Sequence, residues 1–150
     1  MSVIPGHFKQ KYSWLPDLCE RSDVFVELLL RAAPTIIHGE FYPGNALIRD
    51  GEVYVVDWES AGIGAGELDL ASLTQGPWSE EILRECEEEY RMTRWCKATP
   101  FAFDQTFNAA KLYFNFQLLF HWLRFRPNRA IQEVWLFEHM RSLGERLGLI

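Results

Sequence analysis

The stretch from Thr35 to Leu73, TIIHGEFYPGNALIRDGEVYVVDWESAGIGAGELDLASL, constrains the fold of this chain more than any other. Thr35, Ile36 and Ile37 are β-branched or aliphatic and end in His38, Gly39 and Glu40, so polar groups stand where a short strand leaves the core. Pro43 and Gly44 then supply a turn, because Pro fixes φ and Gly accepts positive φ. Asp50-Gly51 marks a hairpin between Ala46–Ile48 and Val53–Val56, and the hairpin delivers Asp57. With a two-residue turn, Ile48 pairs with Val53 and Asn45 lies across from Val56, one step from Asp57. That register brings an amide and a carboxylate to within roughly 5–8 Å of each other. Strict pleating would point Asn45 and Asp57 to opposite sides of the ribbon, so a shared ligand requires a bulge or splay at that end. Hard oxygen donors of this kind suit Mg²⁺, which is held by one or two protein groups plus phosphates and water.

Taken together, His38, Glu40 and Asn45, then Asp57 after a hairpin, then Asp69-Leu70-Ala71, resemble the aminoglycoside phosphotransferase and choline kinase family, the small-molecule relatives of protein kinases. The family pattern is HxDxxxxN, an aspartate, then DxA, and the spacing from position 40 to 45 fits it. The resemblance implies that Glu40 receives or orients an acceptor hydroxyl, that Asn45 and Asp57 hold Mg²⁺ on the phosphates of ATP, and that His38 braces the loop. It implies a structural role for Asp69, tying down the loop backbone from the next helix, and leaves Glu59 at most a support to the metal site. The family's aspartate is a glutamate here, one methylene longer, and a displacement of about 1 Å can cost roughly 10²-fold in rate. Met1–Ser22 holds Lys9 and Lys11 but no glycine-rich phosphate loop, and it is too short for a multi-stranded sheet. The resemblance therefore covers the C-terminal lobe alone.

The remaining composition narrows the class. At 48% hydrophobic residues the chain can bury a core, and 150 residues suit one domain. A net charge of −6 argues against non-specific nucleic-acid binding and is compatible with a cationic substrate. Cys19, Cys86 and Cys96 form no CxxC pair and read as reduced thiols of a cytoplasmic protein, and no signal peptide is visible. The most apolar stretch, Leu112–Phe125, is interrupted by Asn115, Gln117, His121 and Arg124, which excludes a membrane span.

Elsewhere the patterns are helical. Residues 1–21 read as a lead-in broken by Pro5 and Pro16, with His7 at its surface. Ser22 caps a helix through Leu30, which Pro34 ends. Gly62, Gly64 and Gly66 lack the spacing of a dinucleotide fingerprint and read as a flexible bend. Glu67 and Asp69 open a helix, where the dipole favours acids. Ser79 caps a helix of about eighteen residues ending near Lys97, with Glu87–Glu89 on its solvated face. Asp104 caps a central helix reaching Arg126 that is apolar on most sides, with His121 as a core residue. The last helix runs from about Arg129 to Leu147 and leaves His139 exposed.

The expectation is an α+β, mostly α protein: the C-terminal lobe of the kinase-like phosphotransferase fold, residues 22–150, carrying a small β-hairpin. The resemblance implies transfer of the ATP γ-phosphoryl group to the hydroxyl of a small molecule. The alternatives are a non-catalytic binding module and one half of a split enzyme. Partners are then a small-molecule acceptor and a nucleotide lobe in trans or a second copy, since Phe41, Tyr42 and Trp58 would be left uncovered; no nucleic acid and no membrane is expected.

Overall fold

The computed structural model describes residues 10–76, 78–95, 98–126 and 134–150. Its elements run α1 (Leu15–Glu20), α2 (Ser22–Arg31), β1 (Pro34–Ile37), a 3₁₀ turn (Pro43–Asn45), β2 (Ala46–Arg49) and β3 (Glu52–Val55). A second 3₁₀ turn (Trp58–Ser60), β4 (Gly62–Ala65), α3 (Glu67–Leu73), α4 (Glu80–Arg94), α5 (Phe103–Phe125) and α6 (Val134–Arg146) complete them. The protein is mostly helical with two small antiparallel sheets.

Helix α5 is the axis on which the other helices pack: α2, α3 and α6 all lie against it. Its Leu112, Phe116, Leu119 and Trp122 meet Leu136, Phe137, Met140 and Leu143 of α6 and Phe25 of α2. On another side its Phe103, Phe107 and Ala110 meet Leu70 and Ala71 of α3. Buried residues therefore occur around most of its circumference, as the lack of a single apolar stripe implies. Leu15 and Leu18 of α1 are fully buried in the larger cluster, so residues 15–20 are part of the packed body. Each such leucine contributes about 1.5–3 kcal/mol of burial.

The hairpin has the expected register, Ile48 opposite Val53, with Asp50 and Gly51 both at positive φ as a two-residue primed turn requires. The glycine-rich bend is instead a strand. β4 pairs antiparallel with β1, Gly64 opposite Thr35 and Ile63 opposite Ile36. The alternation that signals a strand is lost there because glycine carries no side chain, and its partner is distant in sequence. Gly64 leaves the space that Ile37 fills, so the glycine serves packing here.

Several local expectations shift. Ser22 is the first residue of α2, and no side chain caps that helix. Asp104 lies inside the first turn of α5, where its carboxylate takes the Arg91 guanidinium at 2.7 Å in place of the helix amides. Pro34 begins β1, a position at which a missing N–H costs little. Ser79 does cap α4, accepting from Ile82 N at 3.3 Å, and the helix ends at Arg94; Cys96 and Lys97 lie outside the described residues. Glu88 and Glu89 are exposed, but Glu87 is half-buried and binds Arg91. His121 is exposed and rests on Phe125, so it is not a core residue. The proposed start of the last helix, residues 129–133, lies outside the described residues, as do His7 and Lys9. Among the described cysteines, Cys86 is a free thiol.

Candidate active site

The loop after β1 is held by Asp69. Its two carboxylate oxygens accept from the backbone amides of His38 at 2.7 Å and Gly39 at 2.9 Å, reaching back about thirty residues from α3. A carboxylate receiving two amides is a charge-assisted clamp, stronger than a neutral hydrogen bond. Gly39 adopts φ +84°, and a Cβ there would collide with the carbonyl oxygen of Ser60. The Trp58–Ser60 turn thus lies directly against the loop, which only a glycine permits.

His38 is 2% exposed and ties the loop to the hairpin. Its Nδ1 accepts from the Glu40 amide at 3.3 Å, so the proton sits on Nε2, which donates to the Val56 carbonyl at 2.9 Å. The Trp58 ring lies 4.7 Å from the imidazole, and its indole N–H donates to Val55 O at 2.9 Å. Asn45, also buried, donates from Nδ2 to the Glu40 carbonyl at 3.0 Å, while its main-chain carbonyl accepts from Val56 N at 3.0 Å. His38, Glu40, Asn45 and Val56 are therefore one hydrogen-bonded unit, with Asp57 next in the chain. Asp57 has φ +67° and ψ +59°, the left-handed conformation. That residue breaks the pleat at the end of β3, the departure from regular alternation that a ligand shared with Asn45 requires.

The side chains of Glu40, Asp57 and Glu59 form no ion pair among the described residues, and Asp57 and Glu59 are exposed. Asn45 bonds Glu40 through Nδ2, and its Oδ1 has no hydrogen-bond donor among the described residues. Asn45 Oδ1 and the Asp57 carboxylate are oxygen donors of the type Mg²⁺ takes with water and phosphate. No group of three or more His, Cys, Asp or Glu side chains is placed to hold a metal among the described residues. A cation here would rely on a pair of protein ligands.

Sequence reasoning missed the burial of Glu67. It opens α3 as expected of an acid, yet it is 3% exposed and its Oε2 has no hydrogen-bond partner among the described residues. Burial pushes its pKa up, against the pull of its backbone hydrogen bond and of Arg94. Nearby Tyr90 is pushed up to about 12, first by burial and then by the Glu67 charge. Only the approach of α4, remote in sequence, creates that environment.

The helical body thus clamps a histidine-containing loop through a distant aspartate, and a buried asparagine bonds the same loop near the end of the hairpin. Residues 8–127, four-fifths of the chain, match the model of the phosphotransferase enzyme family. The chain belongs to that family. No curated protein and no solved structure matches it. Among the described residues, no helix is long and apolar enough to cross a membrane.

Proposed function

We propose that this chain is the C-terminal lobe of a kinase-like small-molecule phosphotransferase, which moves the γ-phosphoryl group of ATP to a hydroxyl. The observation that carries the reading is the double clamp of Asp69 on the His38–Gly39 backbone, with Asn45 bonded to the Glu40 carbonyl. Such a loop is rigid before any ligand arrives, and positioning is most of what phosphoryl transfer asks of a protein. Glu40 is the acceptor-orienting carboxylate; Asn45 and Asp57 are the ligands for Mg²⁺, which when bound neutralises phosphate charge; His38 is the brace. The longer side chain at position 40 favours a second reading, a binding lobe that has lost turnover.

The nucleotide-covering lobe is, on this reading, a preceding domain, a partner in trans or a second copy. Ile36 and Ile63 face each other across β1 and β4 at 76% and 82% exposure, and Ile48 and Val53 do so across the hairpin, which leaves apolar surface for such a cover. A clean monomer in sedimentation at high concentration would count against it.

Mn²⁺ serves as a probe of the metal site. Amide signals of Asn45, Val56 and Asp57 should broaden on addition of Mn²⁺ with ATP, and Asp57→Asn should abolish the effect; broadening confined to other residues overturns the assignment. In any form that transfers phosphate, Glu40→Ala should lower turnover at least about 10²-fold. Metal binding without turnover would select the binding-lobe reading.

A further inference from the structure

Away from the loop, α3, α4, α5 and α6 enclose a cavity of about 530 Å³, within the range of small-molecule sites. None of its lining residues lies between positions 38 and 59, so it is separate from the site described above. Its walls are aromatic and aliphatic, with Phe107, Trp122 and Trp135 the largest groups. Trp122 and Trp135 meet edge to face with centroids 6.3 Å apart.

One charge in that cavity is left over. Lys111 is half-buried on α5, and its Nζ stands 3.8 Å above the Phe107 ring. No carboxylate lies within ion-pair distance of it among the described residues. The acid that shares the lining, Glu87, is engaged by Arg91, which also holds Asp104. Burial pushes the Lys111 pKa down, as expected of an ammonium short of counter-charge.

A second donor is oriented beside it. Asn115, one turn further along α5 and 1% exposed, accepts from Gln75 Nε2 at 3.4 Å through Oδ1 and presents Nδ2 to His139 Nδ1 at 3.2 Å. His139 Nδ1 is therefore an acceptor, and the ring proton sits on Nε2. Burial, then the charges of Lys111 and Arg146, lower the pKa of His139 and keep the ring neutral. His139 is exposed, as its place on the last helix implies; the chain of amides that meets it joins residues remote in sequence.

We propose that this cavity binds a small organic carboxylate with an aromatic or apolar body, its anionic end on Lys111 and the His139 Nε2–H and its body against the Trp122 and Trp135 walls. An apolar chamber with a few convergent donors and an unmatched cation has the composition of such a site. A cationic ligand has no acceptor waiting for it here, since Glu87 is already taken. The inference does not depend on phosphoryl transfer and stands if the loop proves inert.

The test compares 2-naphthoate with 2-naphthamide, an uncharged analogue of nearly the same shape, by calorimetry on the full chain. The naphthoate should bind at least about 10-fold more tightly, the scale of one charge-assisted hydrogen bond. It should shift the indole N–H signals of Trp122 and Trp135. Lys111→Met should abolish the preference without weakening naphthamide, and Lys111→Arg should retain it. Equal affinity of the native chain for the two compounds overturns the proposal, and that comparison decides even if the variants fail to fold. Binding that leaves both indole signals unmoved overturns it as well.

Discussion

Removing the Asp69 carboxylate should loosen the loop after β1 more than any other single change outside the hydrophobic core. In Asp69→Ala the amides of His38 and Gly39 lose acceptors at 2.7 and 2.9 Å, and both bonds are part-buried. Hydrogen bonds to a charged group contribute roughly 1.5–3 kcal/mol each, and the lower figure suits a carboxylate that is only part-buried, giving about 3 kcal/mol for the pair. That is a large share of the ~5–15 kcal/mol that stabilises a typical domain. Asp69→Asn keeps one acceptor oxygen but turns an NH₂ toward the second amide, so about half the loss is expected. In urea, with a slope of ~1–3 kcal/mol per molar, the Ala variant should unfold about 1–3 M earlier than the native chain. Intrinsic fluorescence of the six tryptophans follows the global transition. Hydrogen exchange should show His38 and Gly39 amides deprotected in both variants. Stability within about 0.5 kcal/mol of native for Asp69→Ala, or unchanged protection of those amides, would refute the clamp.

Two further perturbations test neighbouring parts of the argument. Gly39→Ala places a side chain at φ +84° and against the Ser60 carbonyl, and should cost at least about 2 kcal/mol in denaturant unfolding; a near-neutral result would mean the Trp58–Ser60 turn moves aside freely. Glu67 has its folded pKa raised by burial, so the folded state holds its proton more tightly than the unfolded chain. The associated stability is present below the ordinary carboxylate value and is lost as pH rises through the raised one. Glu67→Gln should therefore raise the melting temperature near about pH 8 and change little near about pH 4, and a stabilisation independent of pH would contradict this.

The hairpin was legible in the chain because its signals are local. Asp50-Gly51 can take two positive φ angles, and that alone sets Ile48 against Val53 and carries Val56 to Asn45. The central helix was legible too, since apolar residues on most sides of one segment have to be covered on most sides. The order His38, Glu40, Asn45, Asp57, Asp69 carries the resemblance to the phosphotransferase family in the chain itself, because spacing within a loop and across a hairpin is a property of the sequence.

Long-range approach was decided only in three dimensions. Gly62–Ala65 has no alternation to announce a strand, and it is one because β1 lies beside it. Asp69 and Glu67 are two residues apart in one short helix and read alike as first-turn acids. Packing gives one of them two backbone amides and buries the other beneath α4 with an oxygen unmatched. The same holds for Lys111, whose lack of a counter-charge follows from Arg91 holding both Glu87 and Asp104. Helix periodicity and turn chemistry are written in neighbouring residues, whereas desolvation and charge pairing depend on what distant segments bring, and only folding assembles those.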